Sequence, residues 1–272
     1  MELTRFQKAI LDATEPYIAV EAAAAALKTS TLIEKVRKTL KEGYNPTEIA
    51  VITFTRMAAQ ELVERLGNDY KDGIFVGTIH ALAAKFLVEA GYFTEFTESV
   101  ENEDFDKLFE ECKKLDSLEG RYTYVFLDEA QDTSKAELNF IFDMLHAKQY
   151  FIAFDTNQTI YQFKGSNPKE LISRLKSMNF MRYTLPENFR NGRKILNYGK
   201  WILKKQGIMD WSIPARPIDG SLITNFYVKE ALSFIRQDKD FKNWAFLCRT
   251  NKQIETIGYF MDRMGIPYNT FK

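Results

Sequence analysis

Two carboxylates at the end of a hydrophobic run are the residues of this sequence best suited to chemistry. Asp128 and Glu129 follow the apolar string YVFL and open the string DEAQD. A buried strand ending in this way places both carboxylates at the carboxyl edge of a parallel sheet, where open α/β folds bind ligands. There Asp128 can hold Mg²⁺ through its water shell, and Glu129 can orient or deprotonate an attacking water. A bare Asp-Glu pair is more often a surface turn, but the whole string favours a site.

A second candidate is the pair Lys28-Thr29, which follows the apolar run YIAV and the string EAAAAAL. The order strand, loop, Lys-Thr, helix is typical of a phosphate-binding loop. In such a loop Lys28 reaches the β- and γ-phosphates of a nucleotide, and the Thr29 hydroxyl is a ligand of Mg²⁺. Alone, the string is typical of the start of an alanine-rich helix. Its position relative to DEAQD is what favours the loop.

The elements that must position these residues alternate between strands and helices. Apolar residues recur at helical spacing between short hydrophobic runs, a pattern that predicts a parallel sheet covered on both faces. The runs are nearly continuous in hydrophobic residues, as strands buried on both sides must be. The predicted strands are YIAV, IAVITFT, GIFVGTIH, YTYVFLDEA and QYFIAFD.

The later part of the chain repeats this alternation. The runs LITNFYV, WAFLCR and the stretch near Tyr268 predict strands of a second α/β unit, with KEALSFIRQ and KQIETIGYFMDRM as its helices. We place the boundary near Leu185-Pro186. The predicted domains are therefore residues 1–185, with a small helical insertion at about 90–120, and residues 186–272.

Composition describes a globular chain whose charge is unevenly distributed. The 272 residues include 37 basic and 37 acidic side chains, so the formal charge is zero. Residues 95–119 contain 3 basic and 10 acidic residues, or −7, and residues 163–205 contain 11 basic and 2 acidic residues, or +9. We expect a dipolar molecule with salt-sensitive DNA binding on its basic side. The 2 cysteines, the polar start and the lack of a long apolar run predict a cytoplasmic protein without a membrane partner.

Taken together, the motifs resemble those of superfamily 1 DNA helicases of the UvrD/Rep/PcrA type, in the family's order. LTRFQ resembles the Q motif, EAAAAALKT stands at motif I, VITFTRMAAQEL resembles motif Ia and GTIHALAAKFL motif Ib. YVFLDEAQD corresponds to motif II, FDTNQTIYQFKG to motif III and LPENFR to motif IV. The resemblance covers essentially the whole chain. It implies a RecA-like P-loop NTPase fold with a partial second RecA-like domain, and ATP and Mg²⁺ as cofactors.

The resemblance also implies roles for single residues. Gln7 would read the adenine and Phe189 would stack on it, while Gln158 would sense the γ-phosphate. Arg190 would stabilise charge on that phosphate in the transition state. His80 fits a strand-binding residue and a structural histidine equally well. The residues implied to contact single-stranded DNA, with the aromatics stacking on bases, are Thr53, Phe54, Thr55, Thr78, His80, Tyr161, Phe163 and Lys164.

The sequence departs from the family at the phosphate loop. Ala23, Ala25 and Leu27 occupy positions where the family has glycine, which tolerates positive φ and lets the backbone approach phosphates. An alanine forced to positive φ costs about 1–2 kcal/mol, and Leu27 would crowd the β-phosphate. Alanine and leucine also favour helices. We therefore predict that the helix holding Lys28 extends backward and partly fills the phosphate pocket.

A second departure is that motifs V and VI do not occur in this sequence. The resemblance thus implies an incomplete second RecA-like domain with an exposed sheet edge, completed by a longer protein or by a complementing chain. The leading interpretation is an ATP-dependent helicase or translocase that moves 3′ to 5′ on single-stranded DNA or on DNA with a single-stranded tail. The alternative is a catalytically inactive module, derived from a helicase, that binds single-stranded DNA or a protein partner.

Overall fold

The structure, a computed structural model, describes residues 2–92, 105–115, 118–159, 165–223, 227–238 and 243–270. By packing, these residues form two compact units, one ending at Gly220 and one beginning at Ser221. This division lies later in the chain than the domain boundary placed near residue 185, which stays a prediction. Tyr161, Phe163 and Lys164, predicted to contact DNA, lie outside the described residues.

A six-stranded parallel sheet forms the centre of the first unit, in the order β3-β2-β4-β5-β1-β6. This arrangement confirms the predicted α/β fold and all five of its predicted strands. The sixth strand, β6, lies at one edge and pairs only with β1 in the described residues. The strands are β1 (Tyr17–Ala22), β2 (Ile49–Thr53), β3 (Phe75–Thr78), β4 (Tyr124–Leu127), β5 (Gln149–Phe154) and β6 (Met181–Leu185).

Helices cover both faces of the sheet, and a two-residue parallel pair, β7 (Glu187–Asn188) with β8 (Ile213–Pro214), follows β6. After the helix Lys135–Asn139 the chain continues as a π-helix over Phe140–Met144. The helices of this unit are α1 (Arg5–Asp12), α2 (Lys28–Lys41), α3 (Arg56–Leu66), α4 (Ile79–Glu89), α5 (Phe105–Cys112), α6 (Lys135–Asn139), α7 (Pro168–Ser177) and α8 (Arg193–Lys205).

Alternate residues of each strand enter two separate cores, because successive side chains of a strand point to opposite faces. In β4, Val125 and Leu127 pack in one core and Tyr124 and Phe126 in the other. All residues of β2 and β4 are buried, as the continuous hydrophobic runs predict. In the described part of the acidic segment 95–119, Phe109 of α5 lies in the core that also contains Val125 and Leu127.

The second unit contains two helices, α9 (Val228–Asp238) and α10 (Asn251–Met264), at the positions predicted from sequence. Its small core consists of Leu232, Ile235, Met261 and Ile266. The strands predicted at WAFLCR and near Tyr268 are wrong, because residues 243–270 contain no strand. The third predicted strand, LITNFYV, lies partly outside the described residues. A strand needs a neighbour to pair its N–H and C=O groups, and the described residues of this unit supply none.

Candidate active site

The loop from β1 to α2 forms an open turn, contrary to the predicted backward extension of the helix. Helix α2 begins at Lys28, and the Ala26 N–H donates to the Ala23 carbonyl at 3.2 Å. Ala25 and Leu27 adopt left-handed backbone angles, with φ of 57° and 58°. Two of the three positions where the family has glycine therefore do need positive φ, at a cost of about 1–2 kcal/mol each for a residue with a side chain.

Hydrogen bonds from outside the loop explain why the helix does not extend. The Asn188 side-chain amide donates to the Ala24 carbonyl at 2.9 Å, and the Phe189 N–H donates to the Ala25 carbonyl at 3.1 Å. In a longer helix the same two carbonyls would accept from amides four residues on. Propensity favours helix by only tenths of a kcal/mol per residue, whereas each such bond contributes about 0.5–1.5 kcal/mol. The tertiary contacts thus outweigh the local preference.

Helix α2 brings its first two residues against the two carboxylates that follow β4. The Thr29 hydroxyl donates to Asp128 Oδ2 at 2.7 Å, and Lys28 Nζ forms a short ion pair with Glu129 Oε2. The first helical bond is from the Thr31 N–H to the Leu27 carbonyl, so the amides before it lie at the helix N-terminus. Such amides together with a lysine form a ready anion site.

Asp128 carries a charge that the protein interior disfavours. Its side chain is buried, and desolvation raises its pKa above the ordinary value of 3.8. Lys28 and the Thr29 hydroxyl act in the opposite direction but do not cancel the effect. A bound cation would stabilise the ionised form.

The donor set at Asp128 fits Mg²⁺ bound together with nucleotide phosphates. Mg²⁺ takes oxygen ligands, keeps several waters and usually uses one or two protein groups beside substrate phosphates. Asp128 Oδ2 and Thr29 Oγ1 supply two adjacent oxygens. Among the described residues no group of three or more His, Cys, Asp or Glu side chains forms a metal cage. A metal shared with a substrate is therefore the kind that this site suits.

Glu129 is joined to the end of β5 by a chain of amides. Gln131 Nε2 donates to Glu129 Oε2 at 2.7 Å, and Gln131 Oε1 accepts from the Asp155 N–H at 3.0 Å. Gln158 Nε2 in turn donates to Asp155 Oδ2 at 2.6 Å. Burial raises the pKa of Asp155, and hydrogen bonds from Asn157 and Gln158 oppose that shift. The predicted γ-phosphate sensor is thus connected to the predicted catalytic carboxylate.

Three residues in the site were not identified from the sequence. Gln131 and Asn188 lie inside the strings DEAQD and LPENFR, yet sequence gives no sign of what their amides bind. Asp155 could have been found, because it follows strand β5 as Asp128 follows β4. Glu129 adds a further feature, a φ of 54° that is unusual for a residue with a side chain and typical of functional sites.

Both the oxygen and the nitrogen of the Gln7 side-chain amide form hydrogen bonds within the protein. Its Oε1 accepts from the Thr4 N–H at 3.1 Å, completing a capping box for α1. Its Nε2 donates to Thr31 Oγ1 at 3.0 Å, and that hydroxyl donates to the Leu27 carbonyl. Gln7 therefore supports the loop, and its role in reading adenine stays a prediction.

Phe189 and Arg190 follow β7 beside the loop. The Phe189 ring is partly exposed and the Arg190 side chain is exposed. The Arg190 N–H donates to Asn188 Oδ1 at 3.1 Å, which fixes the backbone from which the guanidinium extends. Their predicted roles in stacking and in phosphate contact remain predictions.

The predicted strand-binding residues outside motif III lie at the carboxyl ends of β2 and β3, two neighbouring strands. Thr55 and Thr78 cap helices α3 and α4 by accepting from Ala58 and Ala81. Thr53 is buried, whereas Phe54, Thr55 and Thr78 are at least partly exposed. A shared sheet edge brings these residues together, and DNA contact stays a prediction.

His80 has structural contacts of its own. Its Nε2 lies 3.7 Å from Oε1 of the buried Glu137, and its ring packs 5.5 Å from that of Phe109. Glu137 also forms the capping box of α6, the helix that follows DEAQD. These contacts support the structural interpretation of His80 and leave a role in DNA binding as a prediction.

Asp132 should make stability depend on pH. Burial raises its pKa from 3.8 to about 6, with the Glu129 charge adding to the shift. Because this folded-state pKa is above the unfolded value, the wild type loses stability as pH rises through about 4 to 6. Asp132→Asn should therefore raise the free energy of unfolding by up to about 3 kcal/mol at pH 8 and by little at pH 4.

Urea unfolding at both pH values measures this effect. Asp12→Asn, at an exposed carboxylate on α1, is the control and should change stability by less than about 0.5 kcal/mol. Equal stabilisation by Asp132→Asn at pH 4 and pH 8 would show that ionisation of Asp132 is not the cause.

The fold and the site together define a P-loop NTPase. A parallel sheet places a Lys-Thr helix start after β1 against an Asp-Glu pair after β4. The family model of the UvrD/REP helicase N-terminal domain matches residues 3–114 and 103–179, more than half of the chain. The chain belongs to the UvrD/REP helicase family, which confirms the resemblance found in its motifs.

Individual proteins are similar to this chain. The Gabija protein GajB of Bacillus cereus is 28% identical over 225 residues, covering 66% of this chain and 45% of that protein. The ATP-dependent DNA helicase PcrA of Staphylococcus aureus is 21% identical over 366 residues, covering 96% of this chain and 50% of that protein. A solved structure of Pif1 helicase from Candida albicans covers 91% of this chain and 56% of its own, at 16% identity and a TM-score of 0.45. The chain spans about half the length of GajB and of PcrA.

Proposed function

We propose that this chain is the ATP-binding part of a DNA helicase or translocase that moves 3′ to 5′ along single-stranded DNA. The pairing of Lys28 with Glu129 and of Thr29 with Asp128 is the observation that carries the proposal. These contacts bring a lysine, a hydroxyl and two carboxylates together at one sheet edge, and we assign them the roles of phosphate-binding cation, metal ligands and general base. These are the groups that phosphoryl transfer to water requires.

Each residue has a chemical task in this proposal. Lys28 leaves Glu129 for the phosphates of ATP, which frees the Glu129 carboxylate to orient and deprotonate water. Thr29 and Asp128 would hold Mg²⁺, which would neutralise charge on the phosphates. Gln131 keeps Glu129 in place. Gln158 contacts the γ-phosphate, and its hydrogen bond to Asp155 couples that contact to Gln131 and Glu129.

Single-stranded DNA, or DNA with a single-stranded tail, is the proposed partner. The basic segment 163–205 carries the charge for phosphate contacts, although part of it is paired within the protein. Arg174 binds Asp143 at 2.7 Å, and Arg182 binds Glu21 at 2.7 Å. Among the described residues no helix has the length and apolar content to cross a membrane. The two cysteines are free, which agrees with the proposed cytoplasmic location.

DNA-stimulated phosphate release tests the proposal. We expect the full chain to hydrolyse ATP faster when single-stranded DNA is added, and Glu129→Gln to lower kcat at least 100-fold while ATP still binds. Glu64→Gln, at an exposed carboxylate on α3, is the matched control and should leave the rate unchanged. Hydrolysis that survives in Glu129→Gln would exclude this site as its source.

One observation favours the second candidate function, a binding module without turnover. Ala25 and Leu27 have side chains at left-handed positions of the loop, where glycine would let a phosphate approach more closely. Such a module would hold single-stranded DNA or a protein partner, or act with a complementing chain. DNA binding with no ATP binding and no hydrolysis would favour it over the motor.

A further inference from the structure

We propose that Asn188 is a positioning residue that holds the phosphate loop open and fixes the segment carrying Arg190. The inference rests on the proposed function for its catalytic meaning, but its structural part is testable without nucleotide. Asn188 is 1% exposed and lies in β7, where its carbonyl accepts from the Ala215 N–H at 2.9 Å. A buried asparagine must bond its amide within the protein.

The amide of Asn188 makes three hydrogen bonds in two directions. Nδ2 donates to the Ala24 carbonyl at 2.9 Å, on the phosphate loop. Oδ1 accepts from the N–H groups of Arg190 at 3.1 Å and Asn191 at 2.8 Å. One side chain therefore ties the loop that would receive the phosphates to the turn from which Arg190 extends.

The bond to Ala24 competes directly with the helix that the sequence favours. If α2 extended backward by a turn, the Ala24 and Ala25 carbonyls would accept from the amides of Lys28 and Thr29. Those amides would then no longer be free to bind a phosphate. Ala25 and Leu27 would also leave their strained left-handed backbone angles. Asn188 and the adjacent Phe189 N–H occupy both carbonyls and so oppose this change.

Amide hydrogen exchange tests the structural part in the chain without nucleotide. In Asn188→Ala we expect the Lys28 amide to become at least tenfold better protected, because it gains the Ala24 carbonyl as its helical partner. The Thr29 amide should follow, because release of the turn after Asn188 lets the Phe189 N–H leave the Ala25 carbonyl. Asn191→Ala is the control, since only the backbone of Asn191 bonds Asn188, and it should exchange as the wild type does. Unchanged exchange at Lys28 and Thr29 in Asn188→Ala would overturn the proposal.

A second variant separates loop positioning from general loss of folding. Asn188→Asp keeps the acceptor for Arg190 and Asn191 but has no N–H for Ala24. It should therefore reproduce the change at Lys28 even if Asn188→Ala does not fold. Wild-type exchange at the Lys28 amide in Asn188→Asp would also overturn the proposal.

Binding of a fluorescent ADP analogue with Mg²⁺ tests the functional part. Asn188→Ala should weaken binding at least tenfold in the natural loop, but by less than about threefold in a chain that already carries Ala25→Gly and Leu27→Gly. Glycine disfavours the extended helix and accepts positive φ, so a smaller loss in the glycine background identifies the loop as the route of the effect. A loss that the two glycines leave unchanged would contradict this route. If the wild type binds no nucleotide at all, the proposed function fails, while hydrogen exchange still decides the role of Asn188.

Discussion

Replacing Ala25 and Leu27 together by glycine is expected to tighten Mg²⁺-nucleotide binding at least tenfold and to raise thermal stability. Both residues have φ near 58°, in the left-handed region that a Cβ disfavours. Glycine removes this strain, worth about 1–2 kcal/mol per residue, less roughly 0.5–1 kcal/mol per residue for its greater freedom in the unfolded chain. It also removes the leucine side chain that we predict to crowd the β-phosphate. Isothermal titration with ADP and Mg²⁺, and thermal unfolding without ligand, measure the two effects.

Ala23→Gly is the matched control for this double substitution. Ala23 also stands where the family has glycine, but it is not among the residues with positive φ, and its N–H already donates to the Leu185 carbonyl at 2.8 Å. Glycine there relieves no strain, so we expect a small loss of stability, about 0.5–1 kcal/mol, and little change in affinity. Equal gains from Ala23→Gly and from the double variant would show that backbone strain is not what limits binding.

Asp128→Asn is expected to stabilise the protein while abolishing Mg²⁺-dependent nucleotide binding. The carboxylate is buried, and burial together with the neighbouring Glu129 charge raises its pKa despite the attraction of Lys28 and the hydrogen bond from Thr29. Asparagine keeps the acceptor for the Glu129 N–H, 3.0 Å away, and carries no charge. We expect the free energy of unfolding to rise at pH 8, and the affinity for nucleotide with Mg²⁺ present to fall at least 100-fold.

The pH dependence of this stabilisation gives the sharper test. The folded-state pKa of Asp128 is above its ordinary value of 3.8. Wild-type stability therefore falls as pH rises from 3.8 towards the folded-state pKa. The advantage of Asp128→Asn should therefore be small at pH 4 and largest at pH 8. Adding Mg²⁺ and ADP should stabilise only the wild type, because only the wild type binds them. A variant less stable than the wild type at pH 8 without ligand would contradict the prediction.

The order of elements in the first unit and the residues at its sheet edge can be predicted from the amino-acid sequence. Continuous hydrophobic runs predict buried parallel strands, and β2, β4 and β5 are such strands. Because ligands bind where parallel strands end, DEAQD after β4 and Lys28-Thr29 after β1 predict one site, and the structure brings them into contact. Runs of this kind are less informative in the second unit, where the described residues form helices α9 and α10 but no strand.

The conformation of the phosphate loop depends on tertiary contacts. Local propensity alone predicts a helix through the alanine run, and that prediction is wrong, because Asn188 and Phe189 bond the carbonyls that a longer helix would use. These partners are more than 160 residues away in sequence, so no local pattern reveals them. The same holds for Gln131, which joins Glu129 to Asp155 across two strand ends. Sequence patterns identify the groups that can do chemistry, but hydrogen bonds between distant segments fix where their backbone atoms lie.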